Sequence, residues 1–242
     1  MEEVNIFWFR RDLRLYDNSG LSAATRSKNK VIPIFIFDTS ITDKLPNNDR
    51  RINFIFDNLV KIDLELKNKF NSSINVFKGD PREIFKELIS NYKINSVFTN
   101  NDYEPYAISR DKSIKDLLEK NQIKFKSYKD QVIFEKNEVV KDDGSPYVVY
   151  TPYMRKWKAS LNEDLSRLTE KDIVNNFYNS SFSALKKLNE YGFIKNYKKI
   201  EAFKLNNDIV TKYADTRNFP SINSTSKLGP YLRFGTVSVR KI

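Results

Sequence analysis

The stretch Val4–Asn18, VNIFWFRRDLRLYDN, decides the fold of this chain. It begins with the apolar run Ile6–Phe9, which shows neither the period of a helix nor the alternation of a half-buried strand. A run of this length is typical of a strand that is buried on both faces of a parallel sheet. The charged residues 10–14, RRDLR, follow at once. Open α/β sheets bind ligands at the carboxyl ends of their strands, so these charges predict either a ligand site or a solvated loop.

Four further short apolar runs continue this pattern along the chain, and helical segments separate them. The predicted strands are Val31–Phe37, Ile74–Phe77, Ser96–Thr99 and Ile123–Ser127. The predicted helices are Ser19–Lys28, Asp49–Phe70, a helix capped by Asp80 with Pro81 at its first position, and Tyr106–Lys120. The alternation predicts an α/β fold over residues 1–130, with a doubly wound, five-stranded, Rossmann-like parallel sheet. Neither GxGxxG nor a P-loop is present, so an ordinary dinucleotide or nucleoside triphosphate site is not supported.

The pattern changes after residue 130. Residues 132–150 read as an irregular hairpin, and Thr151 reads as the cap of a helix with Pro152 at its first position. Residues 162–197 are polar and weakly patterned, which is typical of a connector between domains.

Two helical signals follow this connector. An apolar stripe predicts one further helix from residue 202 to residue 213, with members Ala202, Leu205, Ile209 and Tyr213. Ser238 reads as the N-cap of a helix that the last residue, Ile242, interrupts. We therefore expect the chain to stop where a second, helical domain begins.

Composition limits the chemistry. The 242 residues include neither Cys nor His, which excludes disulfides, thiolate metal sites, Ser-His-Asp catalysis and imidazole acid–base chemistry. Carboxylates, lysines or a bound cofactor would have to supply any activity, and a cofactor is the simplest choice. The net charge of +11 fits either a polyanionic partner or a surface that is merely rich in lysine. No apolar run approaches the length of a membrane span and no signal-peptide pattern is present, so we expect a soluble, cytoplasmic protein.

Five segments, in the same order along the chain, resemble the DNA photolyase and cryptochrome family. The first is WFRRDLRLYDN at residues 8–18, and the second is RRINF at residues 50–54. The others are NDYEPY at 101–106 with Arg110 and Asp111, GSPY at 144–147 with TPY at 151–153 and Trp157, and TSKLGPYLRFG at 225–235. The resemblance implies an antenna domain at 1–130, a hairpin, helix and connector at 131–197, and the truncated start of an all-α FAD-binding domain at 198–242.

The resemblance also implies residues for two cofactors. The residues that match the family's antenna pocket are Arg11, Phe35, Arg51, Asp102, Glu104 and Arg233. An internal salt-bridge cluster is the alternative for Asp102 and Glu104. Folate-binding relatives use an acidic residue where this chain has Ala107, so the expected antenna is a deazaflavin or flavin rather than methenyltetrahydrofolate. Those matching the FAD phosphate site are Tyr213, Thr225, Ser226, Lys227, Leu228 and Gly229, although a plain Ser/Thr helix cap is the alternative.

The implied function is a deoxyribodipyrimidine photolyase, in which reduced FAD excited by blue light donates an electron to a pyrimidine dimer flipped out of DNA. The family's lesion-binding residues match nothing up to Ile242, so we expect no catalytic residue here, no repair by this chain alone, and weak FAD binding or none. We expect a monomer, with damaged DNA as its partner. The alternatives are a cryptochrome-type photoreceptor without repair activity and a stand-alone nucleotide-binding α/β module. Trp8 and Trp157 are expected to be packing residues.

Overall fold

A five-stranded parallel sheet forms the centre of the protein, in a computed structural model that describes residues 2–161, 172–179 and 185–242. Its spatial order is β3-β2-β1-β4-β5, and every neighbouring pair is parallel. The doubly wound α/β fold predicted from the sequence is confirmed. The strands are β1 (Glu3–Phe9), β2 (Lys30–Asp38), β3 (Asn75–Gly79), β4 (Lys93–Asn100) and β5 (Lys124–Tyr128).

Helices cover both faces of this sheet because β1 is apolar on both sides. Phe7 and Phe9 lie in one buried layer, and Ile6 and Trp8 lie in the other. Strand residues alternate between the two faces, so the unbroken run of the sequence supplies both layers at once. The helices of this region are α1 (Ser19–Thr25), α2 (Thr39–Thr42), α3 (Arg50–Phe70), α4 (Pro81–Asn91) and α5 (Pro105–Lys120).

Local capping signals position most of these helices. The Asp80 side chain accepts hydrogen bonds from the first turn of α4, and Pro81 stands at its first position, as predicted. Helix α1 ends at Thr25, three residues earlier than predicted. The reason is that Ser27 is held elsewhere: its carbonyl accepts from the Asn176 side chain at 2.7 Å and its hydroxyl accepts from the Asn5 side chain at 2.6 Å.

The irregular hairpin predicted over residues 132–150 is present only as its turn, since the structure assigns no strand there. A tight turn does form, with Gly144 N–H donating to the Lys141 carbonyl at 2.9 Å. Apart from the Lys141 N–H, which donates to the Ser145 carbonyl at 3.0 Å, the preceding arm bonds to the α/β domain, as in the 2.6 Å contact between the Asn101 amide and Glu135. The following arm includes Val148, which is 88% exposed and therefore packs on nothing.

The next helix, α6 (Tyr150–Ser160), begins before the predicted cap. Val149 occupies the N-cap position without a side-chain hydrogen bond, so Thr151 is not the cap. Pro152 consequently stands at the third helical position. This is tolerated because backbone N–H groups of the first turn have no partner within the helix.

The described parts of the predicted connector pack against the α/β domain. Residues 176–178 run beside the start of β2, where the Tyr178 N–H donates to the Val31 carbonyl at 2.9 Å. Phe177, Tyr191 and Phe193 are buried in the same apolar layer as α3, and a short 3-10 turn spans Leu188–Tyr191. The remainder of the prediction, over residues 162–171 and 180–184, lies outside the described residues.

The helix predicted over residues 202–213 is also wrong. Two shorter helices form instead, α7 (Asn207–Thr211) and α8 (Tyr213–Thr216), and no residue of either is buried. The Asn206 side chain caps the N-terminus of α7, where it accepts from the Ile209 N–H at 2.9 Å. The helix therefore begins at Asn207 and does not include Ala202 or Leu205. The stripe therefore has no surface to pack on within the described residues.

The final segment is α9 (Gly229–Arg233) followed by a 3-10 turn at Val239–Lys241. The Ser238 hydroxyl accepts from the Arg240 N–H at 3.2 Å, so its N-cap role is confirmed. Within the described ranges, no helix combines the length and the hydropathy that crossing a membrane requires.

Candidate cofactor cavity

A cavity of about 510 Å³ lies at the carboxyl ends of β1 and β2, and we call it the carboxyl-edge cavity. Strand ends form its floor, with Trp8 from β1 and Phe35 from β2. Helix α9 forms the opposite wall through Gly229, Pro230 and Arg233. The cavity is therefore assembled from two parts of the chain about two hundred residues apart, and it lies where open α/β sheets bind their ligands.

The structure brings the six predicted antenna residues together at this cavity. Five of them line it, namely Arg11, Phe35, Arg51, Asp102 and Arg233. The sixth, Glu104, accepts from Arg233 Nη1 at 2.9 Å and from Arg11 Nη1 at 3.4 Å. The salt-bridge reading of Asp102 and Glu104 is thus correct as geometry, because Asp102 accepts from Arg11 Nη1 at 3.2 Å. The ion pairs and a ligand site are compatible, since the same side chains line an open space.

Electrostatics favour charged side chains throughout this group. Burial lowers the pKa of Arg11, and the neighbouring Asp102 carboxylate opposes that change. The guanidinium remains charged, because its ordinary pKa is far above neutral. The hydrogen bond and the charge of Arg233 lower the pKa of Glu104, and Arg11 adds to the effect. The Glu104 carboxylate is therefore ionised at neutral pH and bridges two guanidiniums that line the cavity.

Arg51 enters the cavity from the first turn of α3. Its Nη2 lies 2.7 Å from Asp49 Oδ2, and its Nε donates to Asp49 Oδ1 at 2.9 Å. This bidentate pair lowers the pKa of Asp49 and raises the pKa of Arg51, the side-chain hydrogen bond being the main cause of both changes. Asp49 is also the N-cap of α3, so the residue that starts the helix also orients a cavity cation.

Two guanidiniums contact the ring of Trp8 on the cavity floor. The Arg10 and Arg110 guanidinium carbons lie 5.0 Å and 4.9 Å from the centre of its ring, within cation–π range. Asp111 forms an ion pair with each cation, at 2.5 Å from Arg10 Nη1 and 3.0 Å from Arg110 Nη2. Trp8 is 1% exposed and packs edge-on against Phe85, which agrees with its predicted packing role.

Sequence reasoning missed Asp38 and assigned Arg110 no role at this site. Asp38 ends β2, accepts from the Tyr106 hydroxyl at 2.7 Å and lies 3.8 Å from Arg110 Nη1. Burial raises the pKa of Tyr106, which therefore stays protonated and donates at neutral pH. The signal was present, because Asp38 directly follows the apolar run VIPIFIF and so stands at the same edge of the sheet as Arg10.

The predicted FAD residues are not gathered around a single cavity. Lys227 has φ +56°, lies 3.9 Å from Glu201 and lines a neighbouring cleft of about 670 Å³, whereas Gly229 lines the carboxyl-edge cavity. Leu228 is buried, and its N–H donates to the Ser226 hydroxyl at 3.4 Å. Thr225 is half-buried, and Tyr213 on α8 is 47% exposed. Their role in FAD binding stays a prediction.

The carboxyl-edge cavity suits a planar heteroaromatic ring that carries both hydrogen-bond donors and acceptors. Guanidiniums can stack on such a ring and donate to its carbonyl groups. Asp38 and Asp102 supply acceptors for a ring N–H, and Phe35 supplies apolar surface. Across the part of the chain that the structure describes, no group of three or more acidic, His or Cys residues could hold a metal ion.

Comparison with known proteins agrees with this geometry. The family model described as DNA photolyase matches residues 5–171. A deoxyribodipyrimidine photo-lyase of Halobacterium salinarum is 28% identical over 99% of this chain and 53% of its own length. Cryptochrome-1 of Drosophila melanogaster is 30% identical over 62% of this chain and 29% of its own length.

Solved structures give the same result. A class III photolyase of Agrobacterium tumefaciens is 25% identical, with a TM-score of 0.79 over 98% of this chain and 52% of the other. A photolyase of Sulfolobus tokodaii, solved with two FAD molecules, is 27% identical, with a TM-score of 0.68 over 99% of this chain and 53% of the other. The chain spans about half the length of the first photolyase relatives it matches. With its parallel sheet and a family match over more than half its residues, the chain belongs to the DNA photolyase family.

Proposed function

We propose that this chain holds a flavin-type antenna chromophore in the carboxyl-edge cavity, as the light-harvesting part of a photolyase. The observation that carries this proposal is the convergence of Arg11, Phe35, Arg51 and Asp102 on one cavity, with Arg233 closing it from α9. When bound, such a chromophore absorbs light and passes the excitation energy on. The protein residues bind the ring, orient it between the strand ends and α9, and exclude water from one side of it.

A flavin or deazaflavin has more support than a folate. Ala107 is 3% exposed in the first turn of α5 and has no side-chain group that could hydrogen-bond a pterin. The acceptors Asp38 and Asp102, flanked by guanidiniums, instead match a ring whose N–H stands between two carbonyl groups. The second FAD of the Sulfolobus tokodaii protein, whose structure implies a novel light-harvesting cofactor, is in line with a flavin antenna.

The activity we propose for the whole protein is blue-light repair of pyrimidine dimers by electron transfer from reduced FAD. The relatives named photo-lyase support it, as does the net charge of +11, which favours a polyanion such as DNA. The FAD site would include Tyr213 and residues 225–229. We propose that the 242 residues alone repair no DNA and act as a monomer in the cytoplasm.

A cryptochrome-type photoreceptor is the second candidate, favoured by the similarity to Cryptochrome-1 of Drosophila melanogaster. Repair of ultraviolet-irradiated DNA under blue light, by a protein that spans the full length of the photolyase relatives, separates the two. A stand-alone nucleotide-binding module has less support, because such a module has no use for residues 229–241, which pack on the α/β domain.

Equilibrium dialysis of the chain against FMN, riboflavin and methenyltetrahydrofolate tests the antenna proposal. We expect one equivalent of a flavin to bind, and the folate to bind at least about tenfold more weakly, a difference of about 1.4 kcal/mol in binding free energy. Tighter binding of the folate would overturn the flavin assignment. Absence of binding by all three ligands would overturn the antenna proposal.

A further inference from the structure

Four buried charges form a cluster beside the carboxyl-edge cavity, without lining it. Arg14 Nη2 lies 2.7 Å from Asp130 Oδ2, Arg240 Nη2 lies 2.8 Å from Asp130 Oδ1, and Arg240 Nε lies 3.0 Å from Asp17 Oδ2. The side chains of all four are at most 7% exposed. We call Arg14, Asp17, Asp130 and Arg240 the four-charge cluster. Two cations face two anions, so the cluster is neutral as a whole.

The four-charge cluster joins parts of the chain that are far apart in sequence. Arg14 and Asp17 lie in the loop after β1, Asp130 follows β5, and Arg240 belongs to the last 3-10 turn. Arg240 also donates to the backbone carbonyls of Asp17 at 2.6 Å and Asp130 at 3.1 Å, and the Ser238 hydroxyl donates to Asp17. Buried ions of this kind stabilise one geometry only while every partner is present, because removing one leaves the others uncompensated.

Between the cluster and the cavity, residues 233–236 run along the loop after β1. The Leu13 N–H donates to the Phe234 carbonyl at 3.0 Å, and Arg14 Nη1 donates to the Gly235 carbonyl at 2.9 Å. Gly235 has φ +61°, and a Cβ there would lie 2.2 Å from the Arg11 carbonyl oxygen. The two backbones are therefore in direct contact, and the position of one determines the position of the other.

The same segment supplies the cavity wall. Pro230, Arg233 and Phe234 line the carboxyl-edge cavity, and the Phe234 ring lies 5.5 Å from that of Phe54 on α3. A short helix such as α9, none of whose residues is buried, does not hold its place by packing alone. The contacts at 233–236 and the 2.9 Å ion pair between Arg233 and Glu104 hold it, and the four-charge cluster lies directly beyond residues 233–236.

We propose that Arg240 is a positioning residue for the chromophore site, and that the four-charge cluster holds α9 as the wall of the carboxyl-edge cavity. This inference rests on the proposed antenna function. Arg240 does not line the cavity, yet the affinity of the cavity depends on it. If the wall is in place in about one molecule in ten after Arg240 is lost, the apparent dissociation constant rises about tenfold.

The test measures FMN affinity by equilibrium dialysis for the unmodified chain and for Arg240→Gln, Arg240→Lys and Arg82→Gln. Arg82 on α4 is a matched control, because its guanidinium also donates to a backbone carbonyl, that of Ser113 on α5 at 2.9 Å, and it does not line the carboxyl-edge cavity. We expect Arg240→Gln to weaken binding about tenfold, Arg240→Lys to restore part of the affinity, and Arg82→Gln to bind as the unmodified chain does. Equal affinity of Arg240→Gln and the unmodified chain overturns the inference and leaves the antenna proposal intact.

Hydrogen–deuterium exchange on the same proteins separates loss of the wall from loss of the fold. Arg240→Gln is expected to speed exchange at Leu13 and over residues 229–236, while the amides of β1 remain protected. If β1 also loses protection, Ser238→Ala takes the place of Arg240→Gln. It removes a single hydroxyl, which donates to Asp17 and accepts from the Arg240 N–H, and a smaller rise in exchange over residues 229–236 is expected. Unchanged exchange over 229–236 in both variants overturns the inference. If the unmodified chain binds no FMN, the flavin assignment fails, and the effect of Arg240 on flavin affinity fails with it.

Discussion

Arg11 connects three parts of the molecule through one side chain. Its Nη1 lies 3.2 Å from Asp102 in the loop after β4, its Nε donates to the Arg233 carbonyl at 3.2 Å, and its guanidinium lines the carboxyl-edge cavity. A hydrogen bond made by a charged group contributes about 1.5–3 kcal/mol, more than one between neutral groups. Arg11 is therefore the residue at which ligand binding and internal contacts depend most on each other.

Replacing Arg11 with Gln removes the charge and keeps most of the volume. We expect FMN affinity to fall by about ten- to a hundredfold, which corresponds to about 1.4–2.8 kcal/mol of binding free energy. Dialysis against FMN measures the loss, and Arg82→Gln is the control for removing an arginine outside the cavity. Equal affinity in Arg11→Gln and Arg82→Gln would show that Arg11 makes no contact with the ligand.

Replacing Gly235 tests the close approach between the backbone of residues 233–236 and the loop after β1. Alanine there would have a positive φ and a Cβ 2.2 Å from the Arg11 carbonyl oxygen, so Gly235→Ala has to displace residues 233–236. We expect a loss of at least about 1 kcal/mol in the free energy of unfolding, measured by urea denaturation. Gly229→Ala is the matched control, because a Cβ at Gly229 meets nothing within 4 Å. A Gly235→Ala protein as stable as Gly229→Ala would contradict the described contact.

At the scale of elements, α1 shows how one cap is shared between local and distant contacts. Asn18 is fully buried and its side chain accepts from the Leu21 N–H at 3.1 Å, which starts the helix. The same amide donates to the carbonyls of Asp12 and Arg14, and it accepts from the Asn100 amide of β4 at 2.8 Å. The cap thus fixes the charged loop after β1 as well as the helix that follows it.

Asn18→Ala is therefore expected to cost more than an ordinary cap. Loss of a cap costs about 1 kcal/mol, and each buried partner left without a hydrogen bond adds about 1–3 kcal/mol. Asn206→Ala is the matched control, since Asn206 caps the exposed helix α7 at 2.9 Å from the Ile209 nitrogen and is itself exposed. Denaturation by urea compares the two. Equal losses would mean that the distant contacts of Asn18 contribute nothing to stability.

Helices and strands were predictable where the sequence signal lies within a few neighbouring residues. The Asp80-Pro81 pair marks the start of α4, and the unbroken run Ile6–Phe9 marks a strand buried on both faces. The paired arms of the hairpin at 132–150 and the single helix at 202–213 did not form, because tertiary contacts, or their absence, decide those segments. The cavity residues gathered as expected, since strand ends of a parallel sheet meet at one edge.

At the scale of the whole molecule, the contacts that close the cavity were not predictable from local pattern. Arg14 and Asp130 are separated by 116 positions, and Arg240 and Asp130 by 110. No spacing in the sequence indicates such a pair. The contact between Arg233 and Glu104 spans 129 positions in the same way, and it joins α9 to the loop after β4.

The Arg233–Glu104 contact makes the stability of the fold depend on pH. Arg233, and to a smaller extent Arg11, lower the pKa of Glu104 in the folded protein. A carboxylate of this kind stabilises the fold fully above its unfolded pKa of about 4.3, and the stabilisation is lost as the pH falls through the lowered value. We expect Glu104→Gln to melt below the unmodified chain at neutral pH, and the difference in melting temperature to shrink progressively as the pH falls below about 4.3. A difference that stays constant below that pH would contradict the ion-pair origin.

The central claim is that a flavin occupies the carboxyl-edge cavity, and a variant that fills the cavity tests it most directly. Gly229 lines the cavity, and space around it is open, so Gly229→Trp puts a ring into the site while Gly229→Ala leaves it free. The measurement is the FMN affinity of the two variants and the unmodified chain, with melting temperatures confirming that each folds. We predict one equivalent bound by the unmodified chain and by Gly229→Ala, and affinity lower by at least about tenfold in Gly229→Trp. Unchanged FMN affinity in a folded Gly229→Trp protein would contradict the claim.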